Sequence, residues 1–154
     1  MANECIPYYE DGDELPCVAN QAVTGKKFVQ VCADREGTIS AGSTPPPYTT
    51  DVGLDLTASG GRIQVSPPNG AGAQGAGKRC LGVASWDAAT GQEVTIKRGN
   101  VLPVTCSAAI TAGQEVEVAA DGSVIPLAAG IPVGRAVATQ PTVGGDAQIL
   151  VYLT

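Results

Sequence analysis

One short unit occurs twice in this chain. Gly82-Val83-Ala84 leads to Gly91 and then to Glu93-Val94-Thr95-Ile96, and Gly134-Arg135-Ala136 leads to Gly144-Gly145 and then to Asp146-Ala147-Gln148-Ile149-Leu150-Val151. Between the two, Gly91-Gln92-Glu93-Val94 recurs as Gly113-Gln114-Glu115-Val116. Each unit is a short strand, a turn that carries Gly, and an alternating strand, the pattern of an antiparallel sheet built from repeated hairpins. A helical alternative fails on punctuation: with 20 Gly and 11 Pro, no long stretch free of both carries an apolar stripe at helical spacing.

Taken in order, the chain opens with Glu4-Cys5-Ile6-Pro7-Tyr8-Tyr9 and an acidic turn, Glu10-Asp11-Gly12-Asp13-Glu14. This segment, 1–14, reads either as an arm whose Tyr8 and Tyr9 anchor in a neighbour's groove or as an edge strand of the same domain. Leu15 to Ala19 and Lys27 to Cys32 alternate as strands, joined near Thr24-Gly25. From 37 to 79 the composition turns to Gly, Ser, Thr and Pro, including Pro45-Pro46-Pro47-Tyr48, so this is a loop insertion with short strands at Leu54 to Leu56 and Arg62 to Val65.

Residues 80–154 form the regular β core. Strands are expected at Cys80 to Ala84, Glu93 to Lys97, Val101 to Thr105, Glu115 to Val118, Val124 to Leu127, Pro132 to Ala138 and Ala147 to Leu153, with Asp121-Gly122 as the clearest hairpin turn. Short strands at such close spacing imply a small antiparallel β-barrel or sandwich, all-β, in a single domain over 1–154. Trp86, the one Trp, lies beyond a strand end and reads as a core plug or a contact residue.

Composition narrows the function classes. The 44% apolar fraction includes 22 Ala and only one Phe, one Trp and one Met, so the core is thin and suits stabilisation by assembly. The formal charge of −6, with basic residues scattered, argues against a nucleic-acid partner, which needs a concentrated basic face. No apolar run approaches the roughly 20 residues that span a bilayer, and the N-terminus lacks the regions of a signal peptide, so no membrane partner is expected. Five cysteines without a CxxC pair and no His at all favour buried reduced thiols, with no metal and no cofactor.

Two apparent nucleotide motifs fail on context. Gly72-Ala73-Gln74-Gly75-Ala76-Gly77-Lys78 fits G-x-x-x-x-G-K, but Arg79 stands where a Ser or Thr would hold magnesium, and a strand follows where a helix N-terminus is required. Gly70, Gly72 and Gly75 match G-x-G-x-x-G and fail the same test, so the run reads as a flexible surface loop. Val52-Gly53-Leu54-Asp55-Leu56-Thr57-Ala58 is similar to the first motif of the trimeric dUTPases, but the G-x-I-D-x-x-Y-x-G segment that would follow has no counterpart. No nucleophile is paired with an activating base, and no enzyme is expected.

Both ends and the second half of the chain, leaving out Gly37 to Arg79, resemble the head decoration, or capsid cement, proteins of tailed bacteriophages, particularly those of phages infecting actinobacteria. The resemblance rests on ANECIPYYEDGDEL with VTGKKFVQV, on LGVASWDAATGQEVTIKRGNVLPVT, on AAITAGQEVEVAADGSVIPLAAGIPVGRAV and on the GGDAQILVYL ending. It implies a non-enzymatic β protein, assembled in the bacterial host cytoplasm, that sits on the outer surface of the phage head. Its expected partners are the major capsid protein and further copies of itself, as a homotrimer. Apolar exposure then points to Ile6, Pro7, Tyr8 and Tyr9 in the arm, and Pro45, Pro46, Pro47 and Tyr48 in the insertion, as capsid or subunit contacts. The rival readings are a carbohydrate- or host-surface-binding β module of a phage particle and a dUTPase-like trimeric enzyme.

Overall fold

A computed structural model describes residues 13–33 and 62–153. They form ten strands: β1 (Asp13–Ala19), β2 (Phe28–Ala33), β3 (Ile63–Ser66), β4 (Gly82–Ala84), β5 (Glu93–Arg98), β6 (Val101–Thr105), β7 (Glu115–Val118), β8 (Val124–Pro126), β9 (Gly134–Ala136) and β10 (Asp146–Val151). The first five close into a barrel in the order β1-β3-β2-β4-β5, and the last five form a sheet in the order β6-β10-β9-β7-β8. The edges of that sheet meet at one parallel bridge, Cys106 with Val124, so the second half is also rolled into a barrel. Closure satisfies the backbone N–H and C=O groups that an open edge would leave unpaired. The fold is all-β, and no helix occurs among the described residues.

The two barrels share one strand order and matching registers. Leu15 lies opposite Ile96 in the first, and Leu102 opposite Ile149 in the second. Phe28 pairs with Val83 and Val29 with Gly82, while Glu115 pairs with Arg135 and Val116 with Gly134. The parallel pairing of Ala19 with Val65 has its counterpart in the Cys106 bridge to Val124. These registers align the run from Val23 to Val31 with the run from Ile110 to Val118, and Leu15-Pro16 with Leu102-Pro103.

Chemistry follows the correspondence. A Cβ on Gly82 would stand 2.5 Å from the Lys97 carbonyl oxygen, and one on Gly134 would stand 2.6 Å from that of Leu150, so each hairpin closes at a place where no side chain fits. Pro103 is tolerated opposite Gln148 because β6 meets β8 only at the Cys106–Val124 bridge, so a missing N–H at position 103 breaks no ladder on that side.

The Gly-Gln-Glu-Val echo has a different origin. It enters β5 in one case and β7 in the other, which are not corresponding strands. The shared element is a turn: Gly91 and Gly113 take φ of 83° and 86°, and the Oε1 atoms of Gln92 and Gln114 accept the N–H of Ala89 at 2.9 Å and of Thr111 at 2.7 Å. The repeated tetrapeptide encodes a strand entrance.

Each barrel has its own core. The first holds Cys17, Val29, Val65, Val94 and Ile96, with Leu15, Ile63, Leu81 and Trp86 packed at its margin. Trp86 donates its indole N–H to the Glu93 carbonyl at 3.3 Å, so it is a half-buried plug of the first barrel. The second core holds Leu102, Val104, Ile110, Val116 and Ile149, and also takes in Phe28 and Val83 from the first barrel. Neighbouring residues on a strand face opposite ways, so Val29 points into its own barrel while Phe28, 1% exposed, points into the next. Around Phe28 the junction is polar: its N–H donates to Gly122 at 2.8 Å, Thr105 donates to the Lys26 carbonyl at 2.8 Å, and Lys26 and Lys27 pair with Asp146 and Asp121 at 2.8 and 2.7 Å.

Most strands expected from sequence lie within two residues of those found, and Val101–Thr105 and Glu115–Val118 have the expected bounds. The expected strand from Pro132 to Ala138 shortens to β9, and the one at Leu54 to Leu56 lies outside the described residues. The strands pair antiparallel as expected except where β3, lying between β1 and β2, runs parallel to β1, and at its counterpart, the parallel Cys106–Val124 bridge. That order is a long-range pairing and leaves no local pattern in the sequence.

Candidate functional site

The eight residues picked from sequence, Ile6, Pro7, Tyr8, Tyr9, Pro45, Pro46, Pro47 and Tyr48, lie outside the described residues, as does the Val52 to Ala58 motif. Their points of attachment are described. β1 and β3 run parallel and β2 runs against β3. The start of β1, the end of β2 and the start of β3 are therefore at one end of the first barrel, and residues 1–12 and 34–61 both attach there. β5 also ends there, with Arg98 opposite Asp13. The chain passes to β6 through Gly99-Asn100, whose φ values of 65° and 64° make a sharp two-residue connection. Val151 donates its N–H to the Asn100 carbonyl at 3.0 Å, which brings the C-terminal strand to the same place.

Sequence reasoning did not find a second surface, on the outside of the second barrel. Registers line up Glu115 on β7, Arg135 on β9, Leu150 on β10 and Val101 on β6 as one row across four strands. Arg135 Nη2 lies 3.4 Å from Glu115 Oε1, and the Tyr152 hydroxyl donates to the same oxygen at 3.1 Å. Leu150 is 42% exposed, and Val137 and Leu153 are exposed as well. The signal was present in the alternation of β10, which puts Leu150 on the face opposite Ile149 and Val151.

Both barrels strap a loop to their outer wall with one buried polar side chain at corresponding positions. Gln30 Oε1 accepts the N–H groups of Gln74 at 2.8 Å and Gly75 at 3.0 Å, and its Nε2 donates to the Gly75 carbonyl at 2.8 Å. The glycine run that mimicked a nucleotide motif is therefore a loop fastened to β2, a correction to its reading as a flexible one. Glu117 Oε2 accepts from Ala128 at 2.9 Å, Ala129 at 3.1 Å and Gly130 at 2.6 Å. The N–H groups of Ala128 and then Gly130 hold this carboxyl below the usual range, burial opposes them, and Ala129 adds to the lowering. The two straps meet, since Ile131 donates to the Gly77 carbonyl and Gly77 to that of Val118, both at 2.8 Å.

Reactive chemistry is muted. Cys17, Cys32, Cys80 and Cys106 are free thiols, and burial pushes Cys17 up to about 11 and Cys80 up to about 12, the latter against a hydrogen bond from Gln30. A cleft of about 260 Å³ opens beside Val23, Phe28 and Pro67. Its charged lining residues, Lys27 and Asp121, neutralise one another. Burial alone would raise Asp121, but the Lys27 ammonium and the hydroxyl and N–H of Ser123 outweigh it and hold the carboxyl at about 2. No cluster of metal-ligating side chains occurs among the described residues.

What remains is a pair of fused barrels offering surfaces. The family model for phage cement proteins matches residues 49–153, more than half of the chain. The chain belongs to that family. As a phage cement protein it is a structural component of the virion with a capsid decoration role. Among solved structures, the N base of head fiber gp8.5 in bacteriophage phi29 is similar over 92% of this chain and 95% of that one, with a TM-score of 0.58 and 14% identity. At that identity the likeness is one of fold. No curated protein matches this cement protein significantly.

Proposed function

We propose that this cement protein binds the outer surface of the phage head as a homotrimer and acts by binding alone, without catalysis. In this reading the barrel end that carries the arm and the insertion faces the major capsid protein, with Ile6 to Tyr9 and Pro45 to Tyr48 as its contacts. The observation that carries the reading is the common origin of the two segments: two extensions with exposed-type apolar residues leave one end of one barrel. A shared origin lets both engage one neighbouring surface, so the second is tethered near its site once the first is bound. The work is mechanical. A clamp that binds the expanded shell better than the unexpanded one adds its binding free energy to the shell's resistance to rupture. The acidic surface suits the outside of the head, away from packaged DNA, and the free thiols suit assembly in the host cytoplasm.

The test is addition of purified protein to undecorated heads, read by imaging and by the melting temperature of the heads. Regular decoration and a raised melting temperature are expected, both reduced in a chain lacking residues 1–12 and in Tyr8→Ala with Tyr9→Ala. Heads that remain bare would refute the reading.

A further inference from the structure

Because the barrels are copies, a surface used by one has a counterpart on the other. On the first barrel, the outward row across β2, β4 and β5 is Phe28, Val83 and Lys97. Its Phe28 and Val83 end is buried against the second barrel and carries the junction between them. The counterpart on the second barrel is Glu115, Arg135 and Leu150, and there it lies open, with the Arg135 side chain 54% exposed. We infer that this row is a self-association surface whose occupant is a second copy of this chain. The inference deepens the trimer reading above and rests on it, by naming the face through which copies meet.

Three observations select a second copy. The corresponding place on the same fold already serves as a barrel-to-barrel interface within the chain, so packing of this wall against a further barrel has a precedent in the molecule. The row is neutral as it stands: Glu115 compensates Arg135 at 3.4 Å and is held by the Tyr152 hydroxyl. Two chains of net charge −6 can therefore meet there without burying an unpaired charge. The composition is that of an interface centre, with a Leu and a Tyr around an Arg whose ion pair is already formed.

The experiment is sedimentation velocity on the full chain over a concentration series, with Leu150→Asp and Arg135→Ala measured beside it. Far-ultraviolet circular dichroism and Trp86 fluorescence report that each variant is folded, as expected for exposed sites. The expected result is a wild-type oligomer whose dissociation constant rises about thirtyfold or more in Leu150→Asp, the range of a central interface side chain, and by a smaller factor in Arg135→Ala. A wild type that stays monomeric at its highest soluble concentration overturns the inference, and so does an oligomer indifferent to both substitutions. Head binding separates this from the cement reading. Variants that lose self-association, from a wild type that ignores heads, leave the surface standing and sink the capsid proposal. A monomeric wild type whose head binding falls in Leu150→Asp assigns the face to the shell.

Discussion

Replacing Phe28 with Ala removes from the second barrel's core a ring supplied by the first. Phe28 is 1% exposed, and with Val83 it belongs to the cluster built on Leu102, Val116 and Ile149. Truncation withdraws roughly 150 Å² of apolar surface, which at about 25 cal/mol per Å² is about 4 kcal/mol, within the range of about 3–5 kcal/mol for Phe→Ala in cores. Against a typical domain stability of about 5–15 kcal/mol, this is a large fraction. The loss also falls on the coupling between barrels, because the side chain stands on one and packs in the other. Two probes divide the molecule: Trp86 fluorescence reports the first barrel, and thiol labelling of buried Cys106 reports the second. In urea, the wild-type transitions should coincide, while Phe28→Ala should lower the midpoint and separate them, with Cys106 labelled before the equally buried Cys17 of the first barrel. A destabilisation below about 1 kcal/mol with coincident transitions would refute the argument that Phe28 holds the second core closed.

Gly82→Ala and Gly134→Ala should each destabilise by about 1–3 kcal/mol by thermal or chemical denaturation, since their Cβ atoms would meet backbone oxygens at 2.5 and 2.6 Å; unequal effects, one near zero, would contradict the equivalence of the barrels. Glu117→Ala should cost about 2 kcal/mol by leaving three N–H donors without their acceptor, and Glu117→Gln less, because an amide oxygen still accepts, as Gln30 does in the first barrel. The folded carboxyl of Glu117 is held below its unfolded range, so its contribution is present above the ordinary glutamate pKa and is lost as pH falls through the lowered folded value. Denaturation midpoints measured from neutral pH downward should therefore fall less steeply in Glu117→Gln, and an unchanged acid limb would count against the assignment.

Much of the fold was legible because its causes are local. Alternation gave the strands, Asp121-Gly122 gave the β7–β8 turn, and the Gly-Gln-Glu-Val echo marked two turns that launch strands. The repeat of Gly82-Val83-Ala84 in Gly134-Arg135-Ala136 reported real duplication, but only its β4-β5 and β9-β10 part was readable. The rest of the alignment pairs Val23-Thr24-Gly25-Lys26 with Ile110-Thr111-Ala112-Gly113, where only the Thr is shared. Lys26 takes φ of 62° where Gly113 takes 86°, a conformation that a sequence reader assigns to Gly and not to Lys. The candidate contacts in the arm and insertion were legible as composition, whereas the row through Leu150 required a register.

An all-β chain with a thin core and a duplicated hairpin could thus be read from residues alone, because turn chemistry and strand alternation act between neighbours in the chain. The tertiary structure decided that β3 enters between β1 and β2, that Phe28 serves the core of the other barrel, and that the start of β1, the end of β2, the start of β3 and the C-terminal strand converge on one end. Those outcomes depend on which strands pair across long separations, a choice made by the summed burial and hydrogen bonding of the closed barrels, and no short stretch of residues carries it.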